Sequence, residues 1–200
     1  SSAASDVYKR QILDRYNVKA TFFVTNGKPD YQNLIAQEAQ RGHTVAIHSA
    51  SHDYAKIYQS VDAYFADFDE MNSIITAQTG KAADLVRFPG GSSNTISKKY
   101  CYGIMSQLVC AVEERGFRYC DWNVSSGDAG GTTSTSQVAA NVIAGIKGNN
   151  VSVVLQHDIK NFSVDAVEQI IQWGLSEGYT FLPIISTTPM SHLSLIHISE

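Results

Sequence analysis

Two imidazoles four residues apart, His48 and His52 in His48-Ser49-Ala50-Ser51-His52, follow directly on the apolar run Thr44-Val45-Ala46-Ile47. A neutral imidazole offers a lone pair on one ring nitrogen, so two such rings on one side of the chain can share a divalent metal ion. Four residues is about one helical turn, and a chain that coils after the strand would project both rings from one face. The same spacing also occurs among solvated or core histidines, so the pair takes its meaning from its company. Three more strand-like runs end in polar or glycine-rich clusters: Arg87-Phe88-Pro89-Gly90-Gly91-Ser92, Asp121-Trp122-Asn123-Val124-Ser125-Ser126-Gly127-Asp128, and Leu155-Gln156-His157-Asp158.

These clusters need a framework that delivers strand ends to one rim, and the hydrophobic patterning describes one. Lys19 to Val24, Thr44 to Ile47, Leu85 to Phe88, Phe117 to Trp122, Val151 to Leu155 and Thr180 to Ile184 read as strands. Helical patterns lie between them. Asp30 is placed to cap a helix that turns Leu34, Ile35 and Ala39 inward and closes at Gly42. Ser60 to Thr79 carries Val61, Tyr64, Phe65, Phe68, Met71, Ile74 and Ile75 at three-to-four spacing and stops at Gly80. Ser97 is expected to cap a helix through Ile104, Leu108, Val112 and Arg115 to Gly116, and another starts near Ser136 and uses Val138, Val142, Ile143 and Ile146. The last runs from a Ser163 cap through Val167, Ile170, Ile171 and Trp173 to Gly178, and Ile12 to Tyr16 reads as the end of a first helix. Such alternation implies an α/β fold with a parallel sheet, open or closed into a barrel, in which ligands sit where strands end. His48, Gly90, Trp122 to Asp128 and His157 all follow directly on a predicted strand.

Bulk composition narrows the class. Two hundred residues with 44% hydrophobic and 17% charged residues suit one globular domain. A formal charge of −4 without a basic stripe argues against nucleic acid and favours a neutral or basic polymer as partner. No run approaches the ~18 apolar residues of a membrane span, and the N-terminal residues show no export signal. Cys101, Cys110 and Cys120 are odd in number and lack metal-knot spacing, so they read as buried small hydrophobes.

Taken in order, Ala20-Thr21-Phe22-Phe23-Val24, Gly42-His43 through His48 with Ser49 and His52, Arg87-Phe88-Pro89-Gly90, the Trp122 to Asp128 run and Leu155-Gln156-His157 form a specific combination. On these residues the sequence resembles the polysaccharide deacetylases of the NodB homology domain, a carbohydrate esterase family, over residues 12–191. The resemblance implies a distorted, incomplete (β/α) barrel and metal-dependent hydrolysis of N- or O-acetyl groups on a sugar polymer. It implies His48 and His52 as ligands of a divalent metal, usually zinc, and Arg87 as the residue that orients a carboxylate base. The Gly90 N–H would help hold the tetrahedral oxyanion, Trp122 and Leu155 would line a pocket for the acetyl methyl, and His157 would be the general acid. Asp121, Asp128 and Asp158 are all candidates for the carboxylate that partners His157, with Asp128 matching a family acid.

Two departures matter. The family opens with a strand bearing two adjacent aspartates, the base and a third metal ligand, and this chain has no such pair. The expectation is a fold whose first strand is missing, a chain that is catalytically incomplete, and a lead-in that offers only Asp6; Asp53 beside His52 is a remote substitute. Asn123 and Ser125 stand where many relatives carry acids. Residues 1–11 and 192–200 resemble translated linker sequence and are expected to be ragged ends outside the domain, so His197 receives no role. By resemblance the substrate is an acetylated cell-wall glycan, peptidoglycan before chitin-like oligomers or xylan, and the location extracellular or wall-associated. A non-catalytic glycan-binding domain is the alternative, and the sequence leaves the oligomeric state open.

Overall fold

A computed structural model describes residues 3–193. The chain divides into two compact units, one built from Thr21–Asp121 with residues 184–193, the other from residues 3–20 with Trp122–Pro183.

In the first unit four strands, β1 (Thr21–Thr25), β2 (Thr44–Ser49), β3 (Leu85–Val86) and β4 (Arg118–Tyr119), pair in parallel and lie side by side in chain order. Parallel neighbours require crossovers, and each is helical: α2 (Asn33–Gln40), then α3 (Tyr54–Ile57) with α4 (Val61–Thr79), then α5 (Ile104–Glu114). The periodicity of residues 60–79 is realised in full. Ser60 Oγ accepts the Ala63 N–H at 3.1 Å, Gly80 closes α4 at φ 75°, and Tyr64, Phe65, Phe68, Met71 and Ile75 are buried. They meet Ile47, Val86, Leu108 and Val112 in one core.

Two expected caps are misplaced. Asp30 lies inside a 3-10 turn (Pro29–Tyr31) and α2 starts after Gln32, because Pro29 opens the turn earlier. Ser97 gives its N–H and hydroxyl to Asn94 within a second 3-10 turn (Ile96–Lys99), so α5 begins only after Gly103 at φ 72°.

In the second unit β5 (Val124–Ser125) and β6 (Val154–Leu155) form a two-stranded parallel sheet. It packs with α6 (Thr135–Lys147), whose Val138, Ala139, Val142 and Ile146 share a core with Val124 and with Ala166 and Ile170 of α7 (Asn161–Ser176). The helix α6 is capped by Ser134, two residues before the expected cap. The first helix, expected to end over Ile12 to Tyr16, is α1 (Ala3–Arg15); it starts within the residues expected to be a ragged lead-in, and Arg10, Ile12 and Leu13 are buried. Glu168 of α7 fastens the end of this helix by accepting from Arg15 Nη1 at 2.7 Å and the Tyr16 hydroxyl at 2.8 Å.

The expected strand at residues 180–184 is irregular. Pro183 removes a ladder donor, and Phe181 turns its ring onto Gly174. At the other expected boundary, His192 donates to the Tyr119 carbonyl at 3.1 Å and stacks on its ring, and Leu193 N–H donates to Asp121 at 2.8 Å. His197 lies outside the described residues.

Candidate active site

His48 and His52 do come together, but not on a helix. His48 belongs to β2, and the chain then reverses through a tight turn in which His52 adopts φ 51° before α3 begins at Tyr54. That turn brings the ring centroids to 5.0 Å. His48 Nδ1 lies 2.7 Å from the Arg87 carbonyl, which can only accept, so Nδ1 carries the proton and the lone pair sits on Nε2. The His52 ring meets Tyr54 edge-on at 5.6 Å. Asp53 accepts from Ala55 N–H at 2.9 Å and Lys56 N–H at 3.3 Å, so its carboxylate is the N-cap of α3.

Arg87 follows β3 and is buried. Its Nε donates to the Cys120 carbonyl at 2.9 Å and Nη2 to the Asp121 carbonyl at 3.0 Å, and the guanidinium lies over the Phe23 ring at 4.1 Å. Burial pushes its pKa down, opposed by Cys120 and Asp121. Gly90 stands at φ 81°, and a Cβ there would meet Asn94 Cβ at 3.0 Å and the Tyr54 hydroxyl at 3.1 Å. The positive φ and these tight contacts favour glycine at this turn, and the Gly90 N–H has no hydrogen-bond partner among the described residues. Tyr54 therefore touches both the His52 ring and the Gly90 turn. Sequence reasoning passed over it because a single tyrosine at a helix start carries no spacing signal.

In the other unit His157 follows β6 and pairs with Asp128. Its Nδ1 donates to Asp128 Oδ1 at 2.8 Å and its backbone N–H to Oδ2 at 2.7 Å, while Ser163 Oγ donates to Oδ2 at 2.5 Å. Of the three candidate carboxylates Asp128 is the one that partners the ring; Asp121 accepts instead from Ser92 N–H, Ser92 Oγ and Leu193 N–H. Burial pushes the Asp128 carboxyl up, but hydrogen bonds from His157 and Ser163 outweigh it and hold it well below the usual carboxylate range. Ser163, read as a helix cap, serves this carboxylate. Lys160 Nζ, unremarked in the sequence, donates to the Asp128 carbonyl at 2.7 Å. Trp122 and Leu155 are half-buried, and Leu155 pairs with Ser125 two residues before His157.

The donor chemistry of His48 and His52 fits a divalent metal: two imidazoles brought together by one turn, one with its tautomer set by a carbonyl. No group of three or more His, Cys, Asp or Glu is gathered for a metal among the described residues.

Parallel strands that carry these side chains at their carboxyl ends place the chain among α/β domains whose chemistry sits at strand termini. Comparison with known proteins narrows that class. A family model for polysaccharide deacetylases matches residues 5–102. The catalytic domain of a peptidoglycan N-acetylglucosamine deacetylase from Eubacterium rectale is 66% identical and superposes with a TM-score of 0.92, over 94% of this chain and 86% of that one. A polysaccharide deacetylase from Bacillus cereus superposes at TM-score 0.78 with 28% identity, over 92% of this chain and 89% of that one. A peptidoglycan-N-acetylglucosamine deacetylase of Bacillus cereus is 30% identical over 84% of this chain, which spans 60% of that relative's length. The chain belongs to the polysaccharide deacetylase family.

Proposed function

We propose that this chain is the hydrolytic domain of a deacetylase acting on N-acetylglucosamine in a cell-wall glycan, with peptidoglycan as its substrate and the wall or its exterior as its place of action. His48 and His52 would hold a divalent ion, zinc by preference. When bound, such an ion supplies Lewis acidity toward the acetyl carbonyl and the attacking water. The observation that carries this reading is the 5.0 Å approach of the two rings in a turn whose first imidazole is fixed on the Arg87 carbonyl.

The chain's own groups divide the remaining work. Gly90 N–H donates to the oxygen that becomes negative as water adds to the acetyl carbon. Arg87 holds the Cys120 and Asp121 carbonyls and so positions the strand ends. As the C–N bond breaks, the doubly protonated His157 ring gives its Nε2 proton to the departing sugar amine and is left neutral, while Asp128 holds Nδ1–H and so fixes which nitrogen delivers it. Trp122 and Leu155 supply apolar surface for the methyl of the leaving acetate. The two adjacent aspartates that the family resemblance implies as base and third ligand have no counterpart pair in this sequence. We therefore propose that this chain alone binds metal and glycan but turns over slowly.

Zinc titration and acetate release from an acetylated chitooligosaccharide test this. Zinc affinity is expected to fall in His48→Ala and His52→Ala, with little acetate released by the unaltered chain. Rapid release overturns the slow-turnover reading. Unchanged zinc affinity in His52→Ala overturns the ligand assignment.

A further inference from the structure

The turn that carries His52 hangs on a carboxylate from another element. We propose that Asp67 is the positioning residue of this metal-binding turn, an inference that rests on His48 and His52 being the ligands. Asp67 lies two turns inside α4, on the face that sends Tyr64, Phe68 and Met71 into the core, and is itself 2% exposed. Its Oδ2 accepts from Ser49 Oγ at 2.6 Å and Ala50 N–H at 2.8 Å. Its Oδ1 accepts from Ser51 N–H at 2.8 Å and Ser51 Oγ at 2.5 Å. Each hydroxyl passes the connection on: Ser49 Oγ accepts the His52 N–H at 2.9 Å, and Ser51 Oγ accepts the Asp53 N–H at 3.3 Å. Every amide from Ala50 to Asp53 is tied to this one carboxylate, directly or through a single hydroxyl.

The chemistry requires an acid. Four donors converge on two oxygens, and burial, which pushes the carboxyl up, is outweighed by bonds from Ser49, Ser51 and the two amides, so it sits below the usual carboxylate range. An amide cannot replace it. Each oxygen faces a backbone N–H, so in either flip the amide nitrogen of an Asn would oppose a donor that can neither rotate nor accept. The cradle also sustains the φ of 51° at His52, a left-handed conformation that is strained for a non-glycine residue and persists only when its surroundings over-determine it.

A residue that merely anchored β2 to α4 would support stability and leave the ligand geometry alone, and the test separates the two. Zinc affinity, cobalt(II) visible absorption and amide exchange of the metal-free protein are measured for the unaltered chain, Asp67→Asn, Ser49→Ala and, as control, His52→Ala. Asp67→Asn is expected to weaken zinc binding roughly 10–100-fold, to alter the cobalt spectrum, and to speed exchange at Ala50 to Asp53 while α4 stays protected. Ser49→Ala, which cuts only the link to His52, is expected to weaken zinc binding several-fold. If His52→Ala abolishes zinc binding while Asp67→Asn and Ser49→Ala keep full affinity and an unaltered cobalt spectrum, the positioning role is overturned and the ligand reading survives. If His52→Ala itself changes nothing, the ligand reading is what fails. Should Asp67→Asn not fold, Ser49→Ala decides, and full affinity in that variant overturns the proposal.

Discussion

Asp128 gathers the ring and amide of His157 and the hydroxyl of Ser163 on one buried carboxylate, and each donor removed leaves a charge less well satisfied. Hydrogen bonds to charged groups contribute about 1.5–3 kcal/mol each. Ser163→Ala should therefore lower stability by about that amount, read as a shift in the urea midpoint, and should loosen the His157 ring. A loss well under 0.5 kcal/mol would show that water takes the place of the hydroxyl. Gly90 poses the opposite problem, since what matters there is an absent side chain. Gly90→Ala would force a φ of 81° on a residue with a Cβ, costing about 1–2 kcal/mol, and would press on Asn94 and Tyr54. The slow acetate release proposed for this chain should fall by more than the stability loss explains, because the displaced amide is the proposed oxyanion donor.

At the level of elements, Gly145 is a case where helix propensity and packing disagree. It sits inside α6, where alanine is ordinarily better by about 1 kcal/mol. A Cβ there would lie 2.4 Å from Val124 Cγ1, closer than any real contact, and overpacking costs about 1–3 kcal/mol. Packing wins, so Gly145→Ala should lower the melting temperature, and a rise would mean that β5 can withdraw from the helix. This contact also shows what the sequence made legible and what it did not. The helix at residues 61–79 was readable to its caps because a long apolar period and a Ser and Gly at its ends are local signals. β5 was not, because two residues inside a polar cluster carry no period. Asp30, Ser97 and Ser163 were misread as caps for separate local reasons: Pro29 opens a 3-10 turn ahead of α2, Ser97 lies inside a second 3-10 turn, and the Ser163 hydroxyl is taken by Asp128. At the site, the His48 and His52 pairing was legible as spacing although its geometry is a turn. Asp67 left one trace that went unread, an acid placed three residues after Tyr64 and four before Met71 on an otherwise apolar stripe.

Across the molecule, each compact unit keeps one buried carboxylate below the usual range, Asp67 in one and Asp128 in the other. The sign of the linkage follows from that depression. Unfolding returns each group to an ordinary carboxylate near 3.9, so the unfolded chain binds protons first as pH falls. The stabilisation is complete above about pH 5, is lost progressively as pH falls from there through the folded values, and leaves stability flat with respect to these groups near neutrality. The slope on the acid side is up to about 1.4 kcal/mol per pH unit for each proton taken up on unfolding. The two units can be followed apart, because both tryptophans, Trp122 and Trp173, belong to the unit that holds Asp128. In urea titrations from pH 7 down to pH 3, tryptophan fluorescence should show the acid loss of the Asp128 unit, and Asp128→Asn should start lower at pH 7 and lose less on acidification. Asp67→Asn should flatten the far-ultraviolet acid limb and leave the tryptophan limb steep. An acid limb that keeps its slope in both variants would mean that other carboxylates govern acid unfolding and that the two cradles stabilise their turns without controlling the fold.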